Sequence, residues 1–183
     1  MKIEERYYLF SNGEKAIIRS ARPEDAILIK THREVTASET HFMAREPEDG
    51  PMNLQKITEI LDAVEKDDRD FMVTAFIGDE VVGDLGVTTV RPHVKYLHRG
   101  YLGMSIRQKY TGMGLGSFMI QIALEQARKN GFEQVELGVF SDNERARHLY
   151  AKNGFKEYGM NPRAFKLKDG TYCDEIIMAN IFN

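Results

Sequence analysis

Around residue 110 the spacing of apolar side chains changes from that of a strand to that of a helix, with a glycine-rich turn between the two. Apolar residues alternate with small or polar ones over 97–106, which indicates a strand. From Leu115 they recur at helical spacing until Gly131, a residue type that commonly ends helices. A strand joined to an amphipathic helix by so short a turn predicts a layered α/β domain.

The same spacing rules predict the remaining elements. Asn12-Gly13 favours a type I′ hairpin turn, and Gly78-Asp79 favours a type II′ turn. A capping box at Ser141-Asp142-Asn143-Glu144 is expected to start a late helix. We predict helices over 23–38, 53–66, 115–130 and 143–153, and strands over 6–10, 15–20, 71–77, 81–87, 97–106 and 135–139, with two more strands in the last thirty residues. The order ββ, αα, βββ, α, β, α, ββ predicts one mixed sheet with helices on it.

Composition excludes several kinds of protein. The 183 residues carry 25 basic and 28 acidic side chains, a formal charge of −3, which argues against a nucleic-acid-binding surface. Cys173 is the single cysteine, which excludes an internal disulfide and a cysteine metal cluster. The N-terminal residues are charged, and no run of 18 apolar residues is present. We therefore expect a cytoplasmic protein without a metal, a nucleic-acid partner or a membrane partner, while a homodimer stays open.

The glycine-rich turn is the segment most informative about function, and it reads Tyr110-Thr111-Gly112-Met113-Gly114-Leu115-Gly116-Ser117. Free backbone N–H groups at the start of a helix bind anions, and glycine lets a phosphate approach the backbone. The turn lacks the lysine of a Walker A loop, and its glycines do not match the GxGxxG spacing of dinucleotide-binding folds. A turn used only for tight packing is the remaining alternative, and the turn alone does not decide the matter.

A second segment, over 143–155, follows the glycine-rich turn and its helix. It contains Asn-x-x-Ala-x-x-x-Tyr followed by Gly-Phe, at positions Asn143, Ala146, Tyr150, Gly154 and Phe155. Together with 111–116, the segment resembles the two signatures of the GNAT superfamily of acyl-CoA-dependent N-acyltransferases. The later pattern over 169–174, Asp-Gly-x-Tyr-x-Asp, is similar to the branch that contains ribosomal-protein and polyamine acetyltransferases.

This resemblance implies a fold and a cofactor site. The fold would be a GNAT domain over 16–183, with a mixed, mostly antiparallel sheet, one splayed strand pair and helices on both faces, preceded by a hairpin extension over 1–15. The strand 102–106 would carry a bulge and diverge from 135–140, and acetyl-CoA would lie in that opening. The implied cofactor-binding residues are Met104, Ile106 and Asn143 for the pantetheine arm, and Thr111, Gly112, Met113, Gly114, Leu115, Gly116 and Ser117 for the pyrophosphate.

Two positions depart from the family pattern. Thr111 stands where relatives usually carry arginine or glutamine, so we expect one contact to the pyrophosphate side of the loop to be weaker or missing. Tyr101 stands where many relatives carry a glutamate that serves as a base. Backbone amides can still bind the phosphates, so we expect reduced cofactor affinity at most.

Acetyl transfer to an amine also needs a proton acceptor, because a primary alkylamine is only about one part in 10³ neutral at pH 7. Glu39, near the end of the first predicted helix, is the favoured acceptor because that region borders the acceptor site in similar enzymes. His93 and His98 are the alternatives. Each of the three is otherwise an ordinary surface residue.

Proton donation and oxyanion stabilisation complete the implied chemistry. Tyr150 would protonate the departing thiolate, as the tyrosine at this motif position does in similar enzymes. A backbone N–H near Met104 would stabilise the negative charge on the former carbonyl oxygen. The alternative role for Tyr150 is packing against its own helix.

The sequence therefore predicts an acetyl-CoA-dependent N-acetyltransferase that acts by direct transfer. Its acceptor would be a primary amine: a peptide N-terminus, a polyamine or another small amine. The alternative is a GNAT-fold module that binds acetyl-CoA as a sensor or interaction partner without turnover. A P-loop or dinucleotide enzyme is poorly supported, because the glycine-rich turn lacks the motifs of both.

Overall fold

The computed structural model describes residues 3–182, so residues 1, 2 and 183, at the ends of the predicted 1–15 and 16–183 segments, lie outside the described residues. The helices are α1 (Ala26–Glu39), α2 (Leu54–Lys66), α3 (Leu115–Lys129) and α4 (Glu144–Lys152). The strands are β1 (Arg6–Leu9), β2 (Lys15–Arg19), β3 (Phe71–Ile77), β4 (Glu80–Thr89), β5 (Arg99–Ile106), β6 (Gln134–Phe140), β7 (Lys156–Lys166) and β8 (Tyr172–Ile181). The predicted element order is confirmed. None of these helices is both long and apolar enough to cross a membrane.

All eight strands form one sheet in the order β1-β2-β3-β4-β5-β6-β8-β7. Every neighbouring pair is antiparallel except β5 and β6, which run parallel. That parallel pair is joined only at three positions, from Arg99 opposite Gln134 to Tyr101 opposite Glu136. Beyond them the two strands separate, so the predicted splayed pair is confirmed.

The helices cover both faces of the sheet because the strands direct apolar side chains to both faces. On one face, α1 and α2 pack their buried Ile29 and Leu61 against Met72 of β3. On the other face, α3 packs Met119 in the same buried cluster as Val73 of β3. Burial on both faces explains why β3 reads as a continuous apolar run rather than an alternating one.

Two local predictions were wrong although the elements that they join are present. The first hairpin has a longer loop than a type I′ turn: Gly13 N–H donates to Phe10 O (3.0 Å), and of the two central residues only Gly13 has positive φ (87°). Asn12 instead accepts the Glu14 N–H on its side-chain oxygen (3.1 Å), which stabilises the longer loop.

The predicted capping box at 141–144 is also wrong. Ser141, the residue after β6, continues the pairing with β8, since its N–H donates to Asp174 O (2.9 Å). Asn143 is the cap, because its side-chain oxygen accepts the Ala146 N–H (3.1 Å) and α4 begins at Glu144.

The bulge expected in 102–106 is absent from the pairing between β4 and β5. The register runs without interruption from Gly100 opposite Thr89 to Ile106 opposite Gly83. The irregularity lies one strand earlier, where Ala75 pairs with Gly83 but Phe76 pairs with Val81. The sheet therefore opens beside β5 because pairing with β6 stops, with β5 itself in regular register.

Candidate functional site

The opening between β5 and β6 exposes backbone groups of β5. Arg107 N–H donates to Val82 O (2.9 Å) and Val90 N–H donates to Arg99 O (3.1 Å), so the odd-numbered residues of β5 bond to β4. Successive residues of a strand point their N–H and C=O groups to opposite edges. The backbone groups of Met104 and Ile106 therefore point into the opening, as expected for residues that pair with a pantetheine arm.

The β6 side of the opening also exposes backbone groups. Ser141 N–H donates to Asp174 O of β8, and Phe182 N–H donates to Glu133 O, so the odd-numbered residues of β6 bond to β8. The backbone groups of Gly138 and Phe140 consequently point towards β5. The Gly138 backbone already bonds the Tyr101 side chain. The other backbone groups on the two strand edges form a slot suited to a ligand with amide groups, because buried backbone groups need hydrogen-bond partners.

The glycine-rich loop lies at the end of β5 and leads into α3. Gly112 and Gly114 have positive φ (75° and 87°), which few other residues adopt without strain. The first helical hydrogen bond runs from Phe118 N–H to Gly114 O (3.2 Å), so the N–H groups of residues 115–117 have no partner within the helix. Free amides and the positive end of the helix dipole together favour an anion such as a pyrophosphate.

The hydroxyl side chains of the loop form hydrogen bonds within the protein. Thr111 Oγ1 donates to Gln108 O (2.8 Å), and Ser117 Oγ accepts from Asn153 Nδ2 (3.0 Å). A Cβ at Gly116 would lie 3.0 Å from a methyl of Leu149, so this glycine lets α3 and α4 approach closely. The loop therefore offers an anion mainly backbone groups.

The N-terminal hairpin packs against this loop and forms a hydrogen bond with it. Tyr8 Oη donates to Met113 O (2.6 Å), and its ring centroid lies 5.1 Å from that of Phe118. A Cβ on Gly114 would overlap the Tyr8 hydroxyl. The contact fixes the left-handed turn just before α3, a role for Tyr8 that the sequence did not indicate.

Tyr150 of α4 is buried at the side of the opening. Its side chain is 7% exposed, and its ring contacts Phe155 with centroids 5.7 Å apart. Burial, with a smaller effect of the nearby Tyr101, raises the pKa of Tyr150 to about 12. Within residues 3–182 no hydrogen bond to its hydroxyl occurs. The ring of Tyr150 thus packs in the core, and its hydroxyl remains able to donate a proton.

Asn143 caps α4 as expected, while its contact with the pantetheine arm stays a prediction. Its Oδ1 caps α4 by accepting the Ala146 N–H. Its Nδ2 has no partner among the described residues and lies at the end of β6, where the opening is widest. A cap and a ligand contact are compatible here because they use different atoms.

Tyr101 and Glu175 lie on the other face of the opening, the one covered by α1. Glu175 of β8 is the register partner of Phe140, and its carboxylate lies over Gly138, where a Cβ would overlap it. Burial and the Glu175 charge raise the pKa of Tyr101, and a hydrogen bond with the Gly138 backbone partly offsets the rise. Within residues 3–182 the partly buried Glu175 carboxylate has no hydrogen-bond or ion-pair partner.

Aromatic side chains cover the same face next to Glu175. Phe140 stacks on Phe165 of β7, with ring centroids 3.7 Å apart and planes 8° from parallel. Phe42, from the loop after α1, meets Phe140 edge-on at 5.8 Å. In the same loop, His41 Nε2 lies 3.4 Å from Asp142 Oδ2. This face therefore combines a free carboxylate with an apolar wall.

The structure places the three predicted proton acceptors away from Tyr101. Glu39 Oε2 accepts the Gln108 N–H (2.8 Å), which puts it at the loop end of β5. Tyr101 and Gln108 are seven residues apart, so about 20 Å of strand and turn separates them. His98 and His93 precede β5 at its closed end, where β5 still pairs with β6.

Glu175 was missed because it lies in a segment interpreted only as a buried strand. One signal was available: Gly138 is an isolated glycine inside β6, between Leu137 and Val139, and an isolated strand glycine often marks a close approach. The identity of the approaching group depends on the β6–β8 register, which the sequence does not show.

Comparison with known proteins gives a family match. Residues 33–155 match the model of the acetyltransferase (GNAT) family. An L-amino acid N-acetyltransferase of Escherichia coli is 27% identical over 110 residues, which is 60% of this chain and 67% of that protein.

Solved structures resemble most of the described fold. A GNAT-family acetyltransferase from Streptococcus pneumoniae superposes with a TM-score of 0.86 and 26% identity, covering 91% of this chain and 99% of that one. The yncA protein of Salmonella typhimurium, solved with its cofactor acetyl-CoA, gives a TM-score of 0.80 at 17% identity, covering 92% of this chain and 94% of that one.

Proposed function

Because this chain belongs to the acetyltransferase (GNAT) family, we propose that it transfers the acetyl group of acetyl-CoA directly to a primary amine. It is an acyltransferase, and the family supplies the reaction class. The observation that carries the proposal is the opening between β5 and β6, with anion-binding amides at one end and Tyr150 at its side.

Cofactor binding is assigned to the backbone. The N–H groups of residues 115–117 and the exposed turn at 111–114 would hold the pyrophosphate. The strand edges at Met104 and Ile106 would pair with the pantetheine amides, and Asn143 Nδ2 would add a side-chain contact. Thr111 contributes no free side-chain donor in this arrangement, since its hydroxyl is bonded to Gln108 O. Acetyl-CoA, when bound, supplies the thioester whose carbonyl carbon receives the amine.

Tyr150 is proposed as the proton donor to the departing sulfur. A pKa of about 12 keeps its phenol protonated throughout the physiological range, so the proton is present when the thiolate forms. The backbone N–H of Met104 is proposed to stabilise the oxyanion, because it points into the opening and needs no reorganisation. Both roles use groups that the fold holds fixed before substrate arrives.

Glu39 is the proton acceptor that the sequence favours. One of its oxygens is occupied by the Gln108 N–H, which leaves the other available. A pH profile of Glu39→Gln tests this role: if the variant keeps the acidic limb of the wild-type profile, Glu39 is not the acceptor.

Three acceptor classes are proposed for the amine: peptide N-termini, polyamines and other small amines. The C-terminal pattern over 169–174 favours the ribosomal-protein and polyamine branch. The E. coli relative acts on L-amino acids, so free amino acids belong in the same set. All of these acceptors enter as ammonium ions at neutral pH.

The test is an acetylation screen of such amines with acetyl-CoA, with the product detected by mass spectrometry. Product that accumulates with wild-type protein, together with stoichiometric free thiol, is the expected result. Binding of acetyl-CoA without product from any amine would instead favour a sensor or interaction module. Absence of acetyl-CoA binding would contradict the proposal outright.

A further inference from the structure

Glu175 is a carboxylate at the opening that has no hydrogen-bond or ion-pair partner among residues 3–182. The ionisable side chains near it on the same face are Tyr101, Glu136, Arg99, Tyr158, His41 and Asp142. Most of these are paired: Glu136 binds Arg99 Nη2 (2.7 Å) and the Tyr158 hydroxyl (3.2 Å), and His41 lies against Asp142. Farther along this face, Arg33 pairs with Asp84 (2.9 Å) and His32 bonds to Ser105 Oγ (2.9 Å). Beside the part of the opening next to Gly138, Glu175 is therefore a carboxylate that no residue of 3–182 pairs with and that can bind a cation.

The fold makes room for this carboxylate. Glu175 reaches across Gly138, whose missing side chain lets the carboxylate lie over the backbone of β6. The Gly138 backbone faces the opening, on the edge opposite Met104. A carboxylate held there lies at the side of the slot opposite the buried Tyr150, which packs with the α3 face of the sheet.

We propose that Glu175 binds the ammonium group of the acceptor and takes its proton, a role that rests on the acetyl-transfer function proposed above. The acceptor is then a cationic primary amine that approaches from the α1 face, with its apolar part against Phe140 and Phe42. Glu175 thereby replaces the strand carboxylate whose family position is occupied by Tyr101.

The proton balance is complete with groups already described. Glu175 accepts one proton from the ammonium, and the neutral nitrogen forms a bond to the acetyl carbon. The carbon–sulfur bond breaks with its electron pair on sulfur, and Tyr150 gives its proton to that sulfur. Tyr150 regains a proton from the nitrogen, which yields the acetamide and a free thiol. Glu175 is partly exposed, so it releases its proton to solvent.

The experiment compares Glu175→Gln with wild type and with two other variants. Glu39→Gln tests the competing acceptor, and Asp174→Asn removes the neighbouring carboxylate, which points to the other face and accepts the Arg163 N–H. The best amine from the screen is used, and kcat/KM is measured from about pH 6.5 to 9.5. Acetyl-CoA affinity of each variant is measured by calorimetry.

We expect Glu175→Gln to lose about 100-fold in kcat/KM near pH 7, in the range for a general base. Its deficit should shrink as pH rises towards the pKa of the amine used, roughly 10.4 for an alkylamine and about 8 for a peptide N-terminus, because the free amine fraction increases about tenfold per pH unit below that pKa. Acetyl-CoA affinity should stay within about threefold of wild type, and Asp174→Asn, the control, should keep the wild-type pH profile.

Three results would overturn the role of Glu175. These are a near-normal rate for Glu175→Gln, a deficit that is constant across pH, or a loss of acetyl-CoA binding that accounts for the lost rate. A collapsed acidic limb in Glu39→Gln, with a normal one in Glu175→Gln, would return the role to Glu39. If wild type acetylates none of the amines, the proposed function itself fails, which is a distinct outcome.

Discussion

The two sides of the opening between β5 and β6 differ in what they present to a ligand. The proposed cofactor side, formed by the glycine-rich loop and the strand edges, presents backbone groups, and its polar side chains at Thr111 and Ser117 are bonded within the protein. The proposed acceptor side presents the side chains of Glu175, Tyr101 and Phe140. Backbone recognition depends on chain geometry and tolerates many sequences, whereas recognition by side chains changes with each residue.

This difference explains why the resemblance identified one side and not the other. The family match covers 33–155, which contains both edges of the slot and the whole loop. Glu175 lies outside those residues. A fixed cofactor and a variable acceptor would produce this division between shared backbone geometry and chain-specific side chains.

The largest expected effect comes from Tyr150, at the side of the opening. Tyr150→Phe removes the hydroxyl and keeps the ring against Phe155, so folding and acetyl-CoA binding should persist. We expect kcat to fall by about 10²–10³, the usual size for a lost general acid. Steady-state rates with calorimetric affinity for acetyl-CoA check this, and undiminished turnover would remove Tyr150 from the mechanism.

Gly138→Ala should damage the acceptor side selectively. Its Cβ would overlap the Glu175 carboxylate, which must then move away from the opening. We expect kcat/KM for the amine to fall at least about tenfold, as for a misplaced catalytic group, with little change in acetyl-CoA affinity. Gly159→Ala is the matched control, because the added Cβ would meet Ile177 at an ordinary 3.9 Å. Equal losses in both variants would contradict the assignment.

Gly114→Ala should damage the cofactor side selectively. Its φ of +87° costs an alanine roughly 1–2 kcal/mol, and the Cβ would also displace the Tyr8 hydroxyl. We expect acetyl-CoA affinity to fall about tenfold. Gly170→Ala carries similar strain, with φ of +86° in open space in the β7–β8 turn, and should leave that affinity unchanged. Calorimetric titration separates the two.

A smaller effect on the cofactor side is expected from Tyr8→Phe. The variant loses the hydrogen bond to Met113 O while keeping the ring against Phe118. One such bond contributes about 1 kcal/mol, so acetyl-CoA affinity should fall about fivefold. Tyr7→Phe, on the neighbouring exposed position, removes a hydroxyl bonded to Glu5 and serves as the control. Identical affinities for both variants would show that the hairpin does not organise the loop.

The smallest expected effect concerns the kcat of wild type, which should not depend on pH in the alkaline range. Burial raises the pKa of Tyr150 from 10 to about 12, so the protonated form that donates persists as pH rises. The kcat of wild type should therefore not decline between about pH 8 and 10, where an unperturbed tyrosine would begin to lose its proton. A decline that disappears in Tyr150→Phe would show an ordinary pKa instead.

Local patterns predicted the fold well because each element depends on nearby residues. Apolar spacing predicted every helix and strand, and its errors were confined to end geometry, such as the cap at Asn143 and the loop at Gly13. The bulge expected in 102–106 came from the family resemblance instead, and it is absent. The geometry of the glycine-rich loop was also predictable, since its glycines and its helix start are contiguous, while its binding of acetyl-CoA stays a prediction. Glu175 was not predictable, because its place over Gly138 depends on pairing between strands 35 or more residues apart in the chain.

The central claim, that the slot between β5 and β6 is where acetyl-CoA binds, is tested most directly by residue-resolved amide hydrogen exchange with and without acetyl-CoA. The N–H groups of Met104 and Ile106 face the slot, so we expect strong protection of both on binding, in wild type and in Glu175→Gln alike. The odd-numbered amides of β5, already bonded to β4, should change little. Saturable binding without new protection at Met104 and Ile106 would contradict the claim.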